Sequence, residues 1–311
     1  MASRELFFLG TGSQVPTRHR NQHGLFIRWD ALGFLVDPGE GTQRQLLLAG
    51  IAATQITHIL ITHFHGDHCL GLAAICQRLS LDKVPHPVEI LYPASGQEFF
   101  ERLCHASIYK QQAQLKPRPI TWRDTSDPMQ LVCDLEEAKL RVFARPLDHR
   151  VDCLGYLLRE HDGVRMLPDR LADRGVVGPD IKRLMQQGQL NVGQRLVQLE
   201  EVSTPRPGQK LAVILDTRVC ENAVSLAQDA DLVVSEATYT SEHEHEAREY
   251  AHMTAAQAAQ MAARAGARKL VLTHFSQRYQ SAEKHVAEAQ AFFPDVQAAE
   301  DLTQISLRRS Y

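Results

Sequence analysis

The 311-residue chain lacks the marks of several large classes of protein. It has no excess of positive charge: 34 Lys and Arg stand against 37 Asp and Glu, a formal net charge of −3 with His neutral. That excludes a protein that holds nucleic acid by bulk charge, though not one that uses a local basic surface. None of its six Cys (69, 76, 104, 133, 153 and 220) forms a C-x-x-C pair, so reduced, mostly buried thiols in a cytosolic protein are expected. No apolar run is long enough to cross a membrane. The stretch 45–62 carries no formal charge, but Gly50, Thr54, Gln55, Thr57 and His58 break it, and a span needs about 20 mostly apolar residues. Arg4 and Glu5 precede only a short apolar run, so no signal peptide is expected. No fixed-period repeat or low-complexity tract is seen. With 44% hydrophobic and 23% charged residues, the composition also excludes disorder, collagen and coiled coil. A chain of this length buries about three quarters of its extended surface, so its core needs neither disulfides nor structural metal.

What is abundant is histidine, at 15 residues, the first hint of metal or acid/base chemistry. Short apolar runs end in Gly, Asp or His: ELFFLGTG, GLFIRWD, GFLVDPGEG, HILITHFHGD, PVEILYP, KLRVFARPLDH, KLAVILDT, ADLVVSEAT and KLVLTHF. Runs of four to six apolar residues bounded by turn signals behave as buried strands. Helical patterns at 42–49, 71–79, 96–109, 223–228, 254–265 and 282–292 lie between several of them. Strands alternating with helices define an α/β protein. Asp37, His63, Asp216, Glu236 and His274 stand where strand-like runs end, the loops that line active sites in α/β folds. One such residue alone reads as a helix cap or turn; five at five strand ends do not.

The rhythm breaks at about 160–200. Apolar runs there are few, and Pro and Gly surround a helical piece at 179–187. The segment reads as an insertion into a single domain spanning 1–311. Its charge is near zero, which allows a basic face without showing one.

The strongest signal is THFHGDH at 62–68, with three His and one Asp directly after an apolar run. A strand running into a turn aims His63 and His65 to the same side, and Asp67 and His68 continue round the bend. Imidazole and carboxylate donors without Cys suit hydrolytic zinc or manganese more than structural zinc. One segment cannot complete two coordination spheres. His149, Asp216 and His274, each at the end of an apolar run, are the further candidates, and Asp216 has two oxygens with which to bridge two cations.

H-x-H-x-D-H followed by later His, Asp and His resembles the metallo-β-lactamase fold. More narrowly, the chain resembles the short form of ribonuclease Z, the tRNA 3′-processing endonuclease, nearly end to end. FLGTGSQVPTRHRN (8–21) is similar to that family's first strand and P-x-K-x-R-N loop, with Arg18 in place of Lys. LDHRVDCLGY (147–156), SEATY (235–239), AHMTAAQAA (251–259) and LTHFSQRY (272–279) resemble its later motifs. GVVGPDIKRLMQQG (175–188) resembles the Gly-Pro motif of its tRNA-gripping arm, with Gly178 and Pro179. Leu215 stands where the family has Gly, and Met253 where it has Ser.

The resemblance implies an αββα sandwich of two mixed sheets flanked by helices, with a protruding flexible arm. It implies two Zn2+ (or Mn2+), one held by His63, His65, His149 and Asp216, the other by Asp67, His68, His274 and Asp216. It makes Asp67 the proton acceptor, His252 the proton donor to the leaving ribose oxygen, and Glu236 the partner of His252. Arg18, Arg20 and Arg278 would meet phosphates while Asn21 shapes its loop. The substrate would be precursor tRNA, and the protein a cytoplasmic homodimer with no membrane association. Two other readings keep the same scaffold: a binuclear hydrolase of small phosphodiesters, and a non-catalytic RNA-binding or metal-storage protein.

Overall fold

The computed structural model describes residues 4–122 and 129–307. The chain folds as two compact units, residues 1–159 with 210–311, and residues 160–209.

The larger unit is built on two seven-stranded sheets. The first holds β1 (Arg4–Gly10), β2 (Gly24–Trp29), β3 (Leu32–Val36), β4 (His58–Leu60), β5 (Val88–Pro93) and β6 (Leu115–Ile120), in that order. β1, β2 and β3 pair antiparallel, and β3, β4, β5 and β6 pair parallel. The second sheet begins with β7 (Gln130–Leu135), β8 (Leu140–Leu147) and β9 (Cys153–Glu160). After the smaller unit, whose strands are β10 (Gly163–Met166), β11 (Gln189–Val192), β12 (Arg195–Gln198) and β13 (Ser203–Arg206), the chain returns with β14 (Lys210–Ile214). β15 (Leu232–Glu236), β16 (Leu270–Thr273) and β17 (Val296–Ala298) then add parallel to β14, and the last strand, β18 (Gln304–Ser306), crosses back to the outer edge of β1.

Alternation along each strand makes the layers. Leu6 and Phe8 of β1, Leu25 and Ile27 of β2, Tyr156 and Leu158 of β9, and Leu211 and Val213 of β14 form one buried cluster between the sheets. Their neighbours point the other way, because successive strand residues face opposite sides. Phe7, Leu9 and Phe26 pack against helices Thr42–Leu48, Leu72–Leu81 and Gln97–Cys104 on the first sheet's outer face. Ala212, Ile214 and Val233 pack against helices Glu221–Ala227, Ala255–Arg264 and Glu283–Gln290 on the second's. The protein has the metallo-β-lactamase fold, two mixed sheets between helical layers. No helix of the described residues is long and apolar enough to cross a membrane.

The 160–209 unit is more ordered than its sequence suggests. An antiparallel pair of β10 with β13, a hairpin of β11 with β12, and helices Pro168–Asp173 and Pro179–Gln187 enclose Leu171, Val176, Leu184, Val197 and Val202. Five buried residues spread over more than thirty positions show no strand or helix period, which is why composition alone reads as irregular insertion. Gly178 stands at φ +54, a conformation that L side chains rarely adopt, and Pro179 opens the helix.

Candidate metal centre

The site gathers at the C-terminal ends of strands in both sheets. Asp37 follows β3, the 63–68 segment follows β4, His149 follows β8, Asp216 follows β14, Glu236 ends β15 and His274 follows β16. Asp37, Asp216 and His274 have φ of 45°, 44° and 61°, so the chain turns sharply at each strand end. Non-glycine residues accept this only where the surroundings hold them. One sequence expectation changes here. β4 stops at Leu60, and residues 66–69 are a single helical turn, Gly66–Cys69, with His65 as its N-cap. Asp67 and His68 therefore project from a helix rather than from a bend. The turn packs close to the Pro38–Gly39 loop: a Cβ on Gly39 would lie 2.2 Å from Asp67 O, and one on Gly71 2.1 Å from Gly39 O. Across the sandwich, the Tyr156 hydroxyl donates to Ile61 O at 2.7 Å and Leu154 N–H to Thr62 O at 2.9 Å, fixing the segment from the second sheet.

Hydrogen bonds decide which nitrogen each ring offers. Thr62 donates its hydroxyl to Asp37 Oδ2 at 2.6 Å and so accepts from His63 Nδ1 at 2.9 Å. His68 Nδ1 donates to Asp37 Oδ2 at 2.8 Å, and His149 Nδ1 to Ala251 O at 3.0 Å. Thr238 donates to Glu236 Oε2 at 2.6 Å and accepts from His274 Nδ1 at 3.0 Å. With Nδ1 taken up in this way, all four turn Nε2 toward the cleft. Burial holds His63, His65 and His149 below the ordinary imidazole range, hence neutral at pH 7.

These nitrogens converge on the two oxygens of Asp216. Oδ2 lies 3.6 Å from His63 Nε2 and 3.9 Å from His149 Nε2, with His65 Nδ1 3.0 Å from the former and 3.3 Å from the latter. Oδ1 lies 3.4 Å from His68 Nε2 and 3.3 Å from His274 Nε2, and Asp67 Oδ2 is 3.6 and 3.5 Å from the same two nitrogens. His68 Nε2 and His274 Nε2 are themselves 3.0 Å apart. Two lone pairs at that distance repel unless a proton or a metal cation lies between them. Asp216 Oδ1 is buried with no hydrogen-bond partner, which in a protein interior calls for an ion. The residues fit two divalent cations sharing Asp216, and a donor set of imidazoles and carboxylates fits zinc.

Asp67, His65, His149, Asp216 and His252 line one cleft of about 500 Å³. Gln14, at φ +61, donates its backbone N–H to Asp67 Oδ2 at 2.7 Å. Although burial works against ionisation, His68 and His274 hold the Asp67 carboxyl well below its usual range. His252 Nδ1 lies 3.0 Å from Glu236 Oε1 and 4.0 Å from Asp216 Oδ2. Burial would lower its pKa, but Glu236 and Asp216 outweigh this and raise it to about 9. Thr217 and Met253 N–H donate to Glu236 at 2.6 and 3.2 Å.

The remaining expected residues have other surroundings. Arg18 is exposed. Arg20 is half-buried, donates to Tyr279 O at 2.6 Å and sits 5.0 Å over the Phe275 ring. Asn21 Nδ2 donates to Glu40 O at 2.8 Å while Asp301 accepts its backbone N–H. Arg278 pairs with Glu246 at 3.3 Å and stacks on Tyr239. Gly178 and Pro179 belong to the 160–209 unit. Asp37, Thr62, Thr238 and His23 were not assigned to the site from sequence. Asp37 carried a signal, its place at a strand end. His23 carried none, yet it is wholly buried, stacked on His68 with ring centroids 5.5 Å apart.

Residues 23–146 match the metallo-beta-lactamase superfamily model, and residues 199–275 match a beta-lactamase superfamily domain. Fold and site together define a hydrolase of the metallo-β-lactamase class. The ribonuclease Z of Nocardia farcinica is 52% identical over 308 residues, 99% of each chain, and that of Streptomyces coelicolor 48% over 307 residues, 98% of each. The crystal structure of human tRNase Z, short form, superposes with a TM-score of 0.72 at 27% identity, covering 98% of this chain and 100% of that one. The chain belongs to the ribonuclease Z family and is a hydrolytic endoribonuclease.

Proposed function

We propose that this protein cleaves precursor tRNA at its 3′ end, leaving a 3′-hydroxyl on the tRNA and a 5′-phosphate on the trailer. The observation that carries this reading is the paired donor set on the two oxygens of Asp216, with Asp67 and His252 lining the same cleft. One cation belongs to His63, His65, His149 and Asp216, the other to Asp67, His68, His274 and Asp216. Bound there, two Zn2+ (or Mn2+) supply Lewis-acid charge and bring the pKa of a water toward neutrality.

The chain's own residues then divide the proton work. Asp67, kept ionised and fixed by the Gln14 N–H, orients the attacking water and takes its proton. The water oxygen bonds to phosphorus as the bond from phosphorus to the ribose O3′ breaks. His252, with Nδ1 held by Glu236, gives that O3′ its proton. In the loop 14–21, Arg18 meets RNA phosphate, because Arg20 and Asn21 are committed to Tyr279 and Glu40 and shape the loop instead. Arg278 meets phosphate by exchanging Glu246 for it.

The 160–209 unit, with Gly178 and Pro179 exposed, grips the folded body of the tRNA by shape. In this reading the protein is a cytoplasmic homodimer, one subunit's 160–209 unit presenting tRNA to the other's cleft.

Precursor tRNA treated with intact, chelated and metal-restored protein tests the proposal, with both new ends mapped. Cleavage lost on chelation and recovered with Zn2+ supports it. Unchanged cleavage in chelator, or a 3′-phosphate on the tRNA, overturns it. Asp67→Ala should lose several orders of magnitude in rate while folding normally. Arg159 and Lys210 are register partners, so a short Gly linker can replace residues 160–209. That deletion should abolish tRNA cleavage yet spare a small chromogenic phosphodiester.

A further inference from the structure

Away from the catalytic cleft, three more side chains of metal-binding type meet. His58 opens β4, Glu89 stands beside it in register on β5, and Cys133 reaches them from β7 of the other sheet. A ring nitrogen, a carboxylate oxygen and Sγ all lie within 4.8 Å of one another. His58 and His63 are five steps apart along the chain, roughly 16 Å if extended at about 3.3 Å per residue. The two clusters share no residue.

The surroundings prepare the group for a cation. Thr57 Oγ1 donates to Gly33 O at 3.1 Å and lies 2.8 Å from His58 Nδ1, so it accepts that N–H and leaves Nε2 with its lone pair. Phe34 stacks on the imidazole with ring centroids 4.7 Å apart, fixing its plane. Burial and the nearby Arg118 pull His58 down to about 4, which keeps the ring neutral. Burial and Glu89 push the Cys133 thiol up to about 11, so it holds a proton that a metal would have to displace. Arg118 Nη1 is 3.2 Å from Glu89 Oε2, but its side chain is 49% exposed and can turn into water.

We propose that His58, Glu89 and Cys133 form a separate, non-catalytic site for a zinc-like cation, completed by water, that clamps β4 and β5 to β7 across the two sheets. One nitrogen, one thiolate and one carboxylate suit zinc, whereas magnesium and calcium require oxygen donors throughout. On binding, the S–H proton leaves to solvent as the sulfur–metal bond forms.

Cobalt(II) added to the whole protein is the probe. The catalytic donors are nitrogen and oxygen only, so a near-ultraviolet thiolate-to-cobalt charge-transfer band reports a Cys ligand. The intact protein should show this band and retain one more zinc per chain after dialysis than Cys133→Ser, which should lack the band. Glu89→Gln should bind cobalt at this site at least tenfold more weakly. Both variants should cleave RNA at the wild-type rate, which also shows that they fold. No thiolate band in the intact protein overturns the proposal, and so does a band that persists unchanged in Cys133→Ser.

Discussion

The two halves of the site use one device twice and to different ends. In the first sheet, parallel strands β3 and β4 end in Asp37 and the 62–68 segment. Asp37 takes the Thr62 hydroxyl, which steadies His63, and also takes His68 Nδ1 directly. In the second sheet, parallel strands β15 and β16 end in Glu236 and His274. Glu236 takes the Thr238 hydroxyl, which steadies His274, and also takes His252 Nδ1 directly. Each half is a buried carboxylate, a threonine relay and two histidines. They differ in what the directly held histidine does. His68 turns Nε2 to within 3.4 Å of Asp216 and leaves Nδ1 to the carboxylate, whereas the His252 atom nearest Asp216, at 4.0 Å, is the same Nδ1 that Glu236 holds. In the proposed mechanism the same carboxylate contact sets ligand geometry on one side and a proton donor on the other.

That comparison can be broken most sharply at His252. His252→Ala should lower the rate of the chemical step by about 10²–10⁴-fold with metal content unchanged. Metal analysis beside single-turnover kinetics checks this, and loss of an ion would move His252 into the ligand set. Asp37→Asn attacks the equivalent contact in the other half and should instead appear in the metal. Affinity for the ions should fall by about 10–100-fold, read by competition with a chelator, with activity restored by excess zinc. Glu236→Gln should be milder, roughly tenfold in rate with both ions retained, because one amide oxygen still accepts the Thr217 N–H and His252 Nδ1 at the Oε1 position and only the Oε2 contacts are lost. If it lost metal as Asp37→Asn does, the two halves would have the same role. The smallest effect on catalysis belongs to Tyr156→Phe, the bond between halves. It leaves Ile61 O without that donor and should cost about 1–3 kcal/mol in denaturant unfolding, with the rate little changed.

Much of the frame was legible in the chain. Apolar runs ending in Asp, Glu or His marked β3, β14, β15 and β16, because a strand buried on both faces has no room for charge until it leaves the sheet. The 62–68 cluster was visible because four donors fall within six residues. The helical turn at Gly66–Cys69 was not, since it is held by close packing on the Pro38–Gly39 loop rather than by local propensity. The core of the 160–209 unit was also hidden, because its five buried residues come from two helices, one strand and the connecting segments, with no common period.

By itself the sequence determined the residue types and their order, the strand-end positions and the α/β alternation, all consequences of chain geometry over a few neighbouring residues. Only the tertiary structure decided which nitrogen each histidine offers and where Asp216 places its two oxygens. His149 is set by the Ala251 carbonyl 102 residues away, and His68 meets His274 across 206 residues. A ring's tautomer follows from the partner of its other nitrogen, and that partner comes from folding.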